Sequence, residues 1–216
     1  MESHVIKEFC AENLTNIPAA IKAGAKRIEL CDNLAVGGTT PSYGVLKKTI
    51  ELAHQADVTV MTMIRPRGGN FAYCKAEIEM MANDIQMCLQ LGSDGVVLGC
   101  LKKDWIDEDA TSYLINKSAG MAITFHMAFD ELSIENQFRA IDWLAANKVS
   151  RILTHGGSPE CSIEENFPHL KDLIEYAANR IIILPGAGIT YHNVENVLDV
   201  LQVDEAHGTK IVKLSS

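Results

Sequence analysis

Short apolar runs along this chain alternate with stretches in which apolar residues recur at helical spacing, and that alternation predicts its elements. Strands are expected at Val5–Cys10, Arg27–Cys31, Val58–Arg65, Gly95–Gly99, Ala122–His126, Arg151–Thr154, Ile181–Leu184 and, most weakly patterned, Glu205–Gly208. Between them helices are expected from Leu14 to Ala23, Tyr43 to His54, Lys75 to Leu91, Asp107 to just before Gly120, Ser133 to Asn147, Ile163 to Asn179 with an interruption or late start at Pro168, and His192 to Leu201. Gly24 and Gly92 stand where two of these helices should stop. Eight short strands, each separated from the next by one helix, predict an α/β fold with a parallel sheet, and the count of eight favours a compact TIM-like (β/α)₈ barrel over 1–216 as one domain. An open doubly wound sheet is the alternative, weakened because Glu8-Phe9-Cys10 stands where a dinucleotide-binding glycine motif would follow the first strand. Only Thr209–Ser216 follow the last strand, so the last outer helix is expected to be truncated. Apolar surface at Val5 and Ala206 would then need covering, which predicts at least a homodimer.

Composition narrows the classes. The 216 residues are 47% apolar, enough for a sizeable core, and no linker or low-complexity tract divides them. A net charge of −9 argues against a general binder of nucleic acid or anionic membrane. The N-terminal Met-Glu-Ser-His-Val-Ile-Lys lacks the pattern of a secretory signal, and no apolar run is long enough to span a bilayer, so a cytoplasmic protein is expected. Its six cysteines have no CxxC spacing and are expected as thiols. A metal site would have to be assembled in space from Cys10 and Cys31 or from other separated residues.

In a barrel, functional side chains gather where strands end. Met63-Ile64-Arg65-Pro66-Arg67-Gly68-Gly69 places two guanidiniums and two glycines directly after the third strand, a candidate anion site in which Arg65 and Arg67 grip and Gly68 and Gly69 allow close backbone approach. Glu8 and Cys10 share parity on the first strand, as do Glu29 and Cys31 on the second. Arg65, His126, Thr154 and His207 close their strands, and Asp130 follows His126 where a carboxylate can orient an imidazole. Buried carboxylates at Glu8 and Glu29 would need a counter-ion, and Arg65 is the expected one. Gly186 and Gly188 after the seventh strand form a second candidate anion loop. Each residue has a structural reading too: a buried ion pair, a packed histidine, a tight turn. The methionines are spread over several elements and read as core filling.

With these residues in view, the chain resembles the CutC family of copper homeostasis proteins from Glu8 to about His207. The most specific pieces are Arg27-Ile28-Glu29-Leu30-Cys31, Gly37-Gly38-Thr39-Thr40-Pro41-Ser42, Ile64 to Gly69, Thr124-Phe125-His126 with Ala128-Phe129-Asp130, and Gly186-Ala187-Gly188. The resemblance implies a cytoplasmic, often oligomeric TIM-like barrel linked to copper tolerance, with Cu(I) held at Cys10 and Cys31. It brings no settled reaction. Two positions depart from the family pattern: Met127 stands where arginine is usual, and His155 where serine is usual.

Two functional readings follow. Soft thiolates select Cu(I), and parallel strand spacing would bring Cys10 and Cys31 about 4.8 Å apart at the same ends of neighbouring strands. Alternatively the barrel is an enzyme or sensor for a small anionic, phosphorylated or carboxylated, metabolite. Arg65 and Arg67 then hold the anion, Glu8 or Glu29 is the general base, and His126 with Asp130 is an acid or polarising group.

Overall fold

The computed structural model describes residues 5–214; the first four residues, part of the stretch read as lacking a leader, and the last two of the tail lie outside it. Its strands are β1 (Ile6–Glu12), β2 (Arg27–Cys31), β3 (Thr59–Met63), β4 (Gly95–Leu98), β5 (Ala122–Phe125), β6 (Arg151–Thr154), β7 (Ile182–Pro185) and β8 (Glu205–Gly208). The helices are α1 (Ile17–Lys22), α2 (Tyr43–His54), α3 (Lys75–Leu91), α4 (Glu108–Lys117), α5 (Ile134–Ala146), α6 (Phe167–Ala177) and α7 (Val194–Leu201). Helix ends follow local chemistry. Ser42 and Asp107 accept from backbone N–H groups in the first turns of α2 and α4, Glu77 Oε2 reaches back to the Cys74 amide at 2.8 Å, and Gly92 closes α3 in the left-handed region. Pro168 sits in the first turn of α6, so it delays that helix without interrupting it.

All pairings are parallel, in the order β7-β6-β5-β4-β3-β2-β1-β8. Among the described residues no ladder joins β7 to β8, so the barrel is nearly closed. The main core lies between the strands and the helices and includes Ile28, Leu30, Val60, Val96, Leu98 and Phe125. Inside the barrel a second, smaller cluster holds Cys10, Cys31, Met61, Met63 and Val97. Met61 and Met63 therefore do fill a core, but the one that surrounds the two thiols. No helix follows β8 among the described residues. The segment after it bridges Lys210 to Thr190 and puts Ile211 and Val212 into the core, and Ala206 is fully buried there. Of the two positions expected to leave apolar surface uncovered, Ala206 is therefore buried in the same core as the tail residues Ile211 and Val212, and Val5 is half-buried against that core.

Gly95 is where β4 lets the barrel interior fill. A Cβ at this position would lie 2.5 Å from the Ala122 carbonyl oxygen and closer still to the Met61 thioether. A backbone oxygen cannot move aside, so Gly95→Ala should destabilise the protein by about 1–3 kcal/mol, read from the shift of the urea midpoint at unchanged slope. A midpoint that does not move would show that the interior has slack at this level.

Candidate functional site

The neighbours of β1 build the site. The register sets Glu8 between His207 of β8 and Arg27 of β2, and sets Cys10 beside Glu29. Cys31 lies opposite Glu12, two residues further along than the equal-level placement expected for the thiols. The sulfurs meet even so. The donor atoms of Cys10, Glu29 and Cys31 all lie within 4.8 Å of one another, and so do those of Glu8, Glu29 and His207. Alternation sends each of these side chains inward, so one row of strand neighbours becomes a buried cluster.

Arg27, which the sequence reading passed over, is the counter-ion of Glu8. Its Nε donates to Glu8 Oε2, and Nη2 donates to Glu205 Oε2 at 2.5 Å, where Arg151 Nε joins at 2.8 Å. The signal was available: Arg27 stands two residues before Glu29 and so shares its inward parity. Arg65, expected in that role, is committed elsewhere. Its Nη1 donates to the carbonyls of Val36 and Gly38 at 2.9 and 3.1 Å, and Nη2 donates to that of Gly69 at 2.8 Å, clamping two loops over the barrel mouth. The forked grip on an anion is therefore spent on backbone.

Other expected residues fall in different places. Arg67 faces outward, with Nε donating to Glu77 Oε1 at 2.5 Å. Gly68 is needed for packing, since a Cβ there would sit 2.7 Å from that of Val36. Asp130 does not reach His126: it accepts from the Thr154 hydroxyl and from the His155 amide at 2.9 Å. Thr154 points to the helix side of β6, and Leu153 is the residue of that strand that meets the cavity. Gly186 is packed against Leu153, whereas Gly188 reaches the cavity wall. Met127 lines the cavity, and His155 spans the Gly186 and Cys161 carbonyls at 3.1 Å each.

What these side chains surround is a cavity of about 560 Å³ at the C-terminal mouth of the barrel. Cys10, Glu29 and His207 form part of its lining, with Arg65, Phe71 and His126 on another side. The charges beneath it are strongly biased. Burial would raise Glu8, but the Arg27 guanidinium and the His207 imidazole hold its carboxyl down at about 2. His207 is pushed well above the usual imidazole value because Glu29, Cys10 and Glu8 outweigh its burial. Its Nδ1 lies 2.7 Å from Glu8 Oε1 and its Nε2 3.7 Å from Glu29 Oε2. The thiols split as two acids sharing a site do. A hydrogen bond from Cys31 favours the Cys10 thiolate and lowers it well below the ordinary thiol range, while the same contact and burial raise Cys31. Burial raises Glu29 well above the carboxylate range. His126 is driven down to about 3 by burial and by the Arg65 charge, so its imidazole is neutral.

These features define a class: a nearly closed TIM-like barrel protein with a paired-thiol, carboxylate and imidazole cluster under an open mouth. The chain belongs to the CutC family, whose model it matches over residues 5–212. It is 60% identical over 209 residues to a family protein CutC of Enterococcus faecalis, covering 96% of this chain and 100% of that one. It is 38% identical over 203 residues to the human copper homeostasis protein cutC homolog, covering 94% and 72%. The crystal structure of CutC from Streptococcus agalactiae superposes with a TM-score of 0.93 at 47% identity, covering 96% of this chain and 100% of that one. The family and fold expected from the motifs are the ones found. Among the described residues no helix is long and apolar enough to cross a membrane.

Proposed function

We propose that the protein serves copper homeostasis by holding Cu(I) as cargo between Cys10 and Cys31. The observation that carries this reading is the approach of both sulfurs and a Glu29 oxygen to within 4.8 Å of one another next to an open cavity. The donor set suits a soft cation: two thiols are packed with the thioether-bearing Met61 and Met63, and Cys10 is biased toward the thiolate that a metal requires. The homologue names support it. The cytoplasm, which keeps thiols reduced, is the compartment this role needs.

Anaerobically reduced protein should bind about one Cu(I) per chain in competition with a chromogenic Cu(I) chelator, as one dithiolate site implies. Loss of a supporting contact around a metal typically costs 10–100-fold, so losing a ligand itself should cost about 100-fold or more in Cys10→Ser and in Cys31→Ser. Glu29→Gln, which removes only a hard oxygen, should bind nearly as well as wild type. Equal affinity of wild type and both serine variants would end the proposal.

A further inference from the structure

Two buried side-chain nitrogens beside the cavity make no hydrogen bond among the described residues: His126 Nε2, and Arg65 Nε, whose guanidinium neighbours the likewise unpartnered Tyr73 hydroxyl. The tautomer of His126 follows from its surroundings. The Ala128 amide donates to Nδ1 at 3.2 Å, so Nδ1 carries a lone pair and the ring proton is on Nε2. Both side chains pack on one ring. The Arg65 guanidinium carbon lies 4.8 Å from the Phe71 centroid, and the Phe71 and His126 centroids are 4.8 Å apart. Phe71 is only partly buried, lines the cavity itself, and belongs to the loop that follows Gly68-Gly69. Its ring is thus the neighbour that both side chains share. A third buried atom without a partner, Glu29 Oε1, belongs to a residue on the β2 wall of the same cavity.

We propose that Arg65 Nε and His126 Nε2 form a two-donor pocket for the carbonyl or carboxylate oxygen of a small hydroxycarboxylate or hydroxyketone, entered from the cavity when the Phe71 ring swings aside. Buried polar groups find partners, so unpartnered ones beside a cavity describe their ligand by complement. Two donors ask for one oxygen with two lone pairs. Glu29 asks for a hydroxyl on the same ligand, Leu34, Met63 and Leu153 supply apolar wall, and Thr190, Thr209 and Lys210 make another part of the lining polar. A neutral imidazole N–H beside a guanidinium polarises a carbonyl without surrendering its proton, which sets His126 as an electrophilic donor and not as an acid. The two donors are not thiols and lie apart from the sulfurs on the cavity wall, although the pocket shares Glu29 with the Cu(I) site.

The test uses protein with ¹⁵N-labelled histidine rings and glycolate and dihydroxyacetone as probes. The His126 signals should show an unprotonated Nδ1 and a protonated Nε2, and one of the probes should shift the Nε2–H resonance saturably. Phe71→Ala, which removes that ring, should bind that probe more tightly. His126→Phe should weaken it about tenfold, the ordinary effect of one neutral hydrogen bond, and His126→Gln, which keeps an N–H donor, should recover part of the loss. Cys31→Ser, at the thiol that does not line the cavity, should bind the probe as wild type does, which separates this pocket from the copper reading. The inference is overturned if neither probe moves the Nε2–H signal in wild type or in Phe71→Ala, or if His126→Phe binds as well as the parent.

Discussion

Arg27→Met should unfold the protein far more easily than any surface substitution, by about 3–5 kcal/mol, because it leaves two carboxylates buried at the base of the barrel without their shared cation. Arg27 is 3% exposed and Glu8 is fully buried, so solvent cannot take over the lost contacts. Glu205 keeps Arg151 as a second partner at 2.8 Å, whereas Glu8 is left with the His207 imidazole alone. Adding Glu8→Gln should therefore return part of the loss, about 1–3 kcal/mol of coupling expected for residues in direct contact. Urea unfolding of wild type, both single variants and the double variant closes the cycle. Strictly additive losses would mean that Arg27 acts through packing alone, and a single-variant loss below about 1 kcal/mol would place the pair in the class of exposed salt bridges.

Acid should destabilise the fold in two windows that overlap between about pH 4.5 and 3. His126 has a folded pKa of about 3 against an ordinary value of 6.5, so as pH falls below 6.5 the unfolded chain takes a proton that the folded chain refuses. That loss continues down to about 3 and amounts to about 2 kcal/mol between pH 7 and 5. His207 carries the opposite sign. Its folded pKa is raised, so its contribution is fully present below 6.5 and disappears as pH rises through the folded value; over the same interval it offsets part of the His126 loss. His126→Phe isolates the first effect: the difference between its slope and that of wild type from pH 7 to 5 should equal the His126 contribution. Glu8 opens the second window. Held at about 2 against 4.5, it adds stability above 4.5 that is lost as pH falls toward 2. Parallel pH–stability curves for wild type and His126→Phe above pH 5 would refute the buried neutral imidazole, and with it the donor role assigned to Nε2.

The alternation of apolar runs and helical patterns determined the fold. Strand and helix identity is a local matter of period and of capping residues such as Ser42, Asp107 and Gly92, and β2, β6, β8, α2 and α3 begin and end where the pattern places them. Parity likewise made it legible that Glu8, Cys10, Glu29 and Cys31 turn inward, because alternation along a strand needs no knowledge of its neighbours. Which groups then meet is a property of register and loop path, and a single strand does not encode either. A two-residue offset between β1 and β2 put Cys10 beside Glu29 and Glu8 beside Arg27. The loop carbonyls of Val36, Gly38 and Gly69 took the Arg65 fork that was assigned to an anion, and Thr154 with the His155 amide took the carboxylate assigned to His126. Local sequence determined which side chains enter the barrel, and tertiary packing decided their partners, because a buried donor or acceptor binds whatever complementary group the fold brings within about 3 Å.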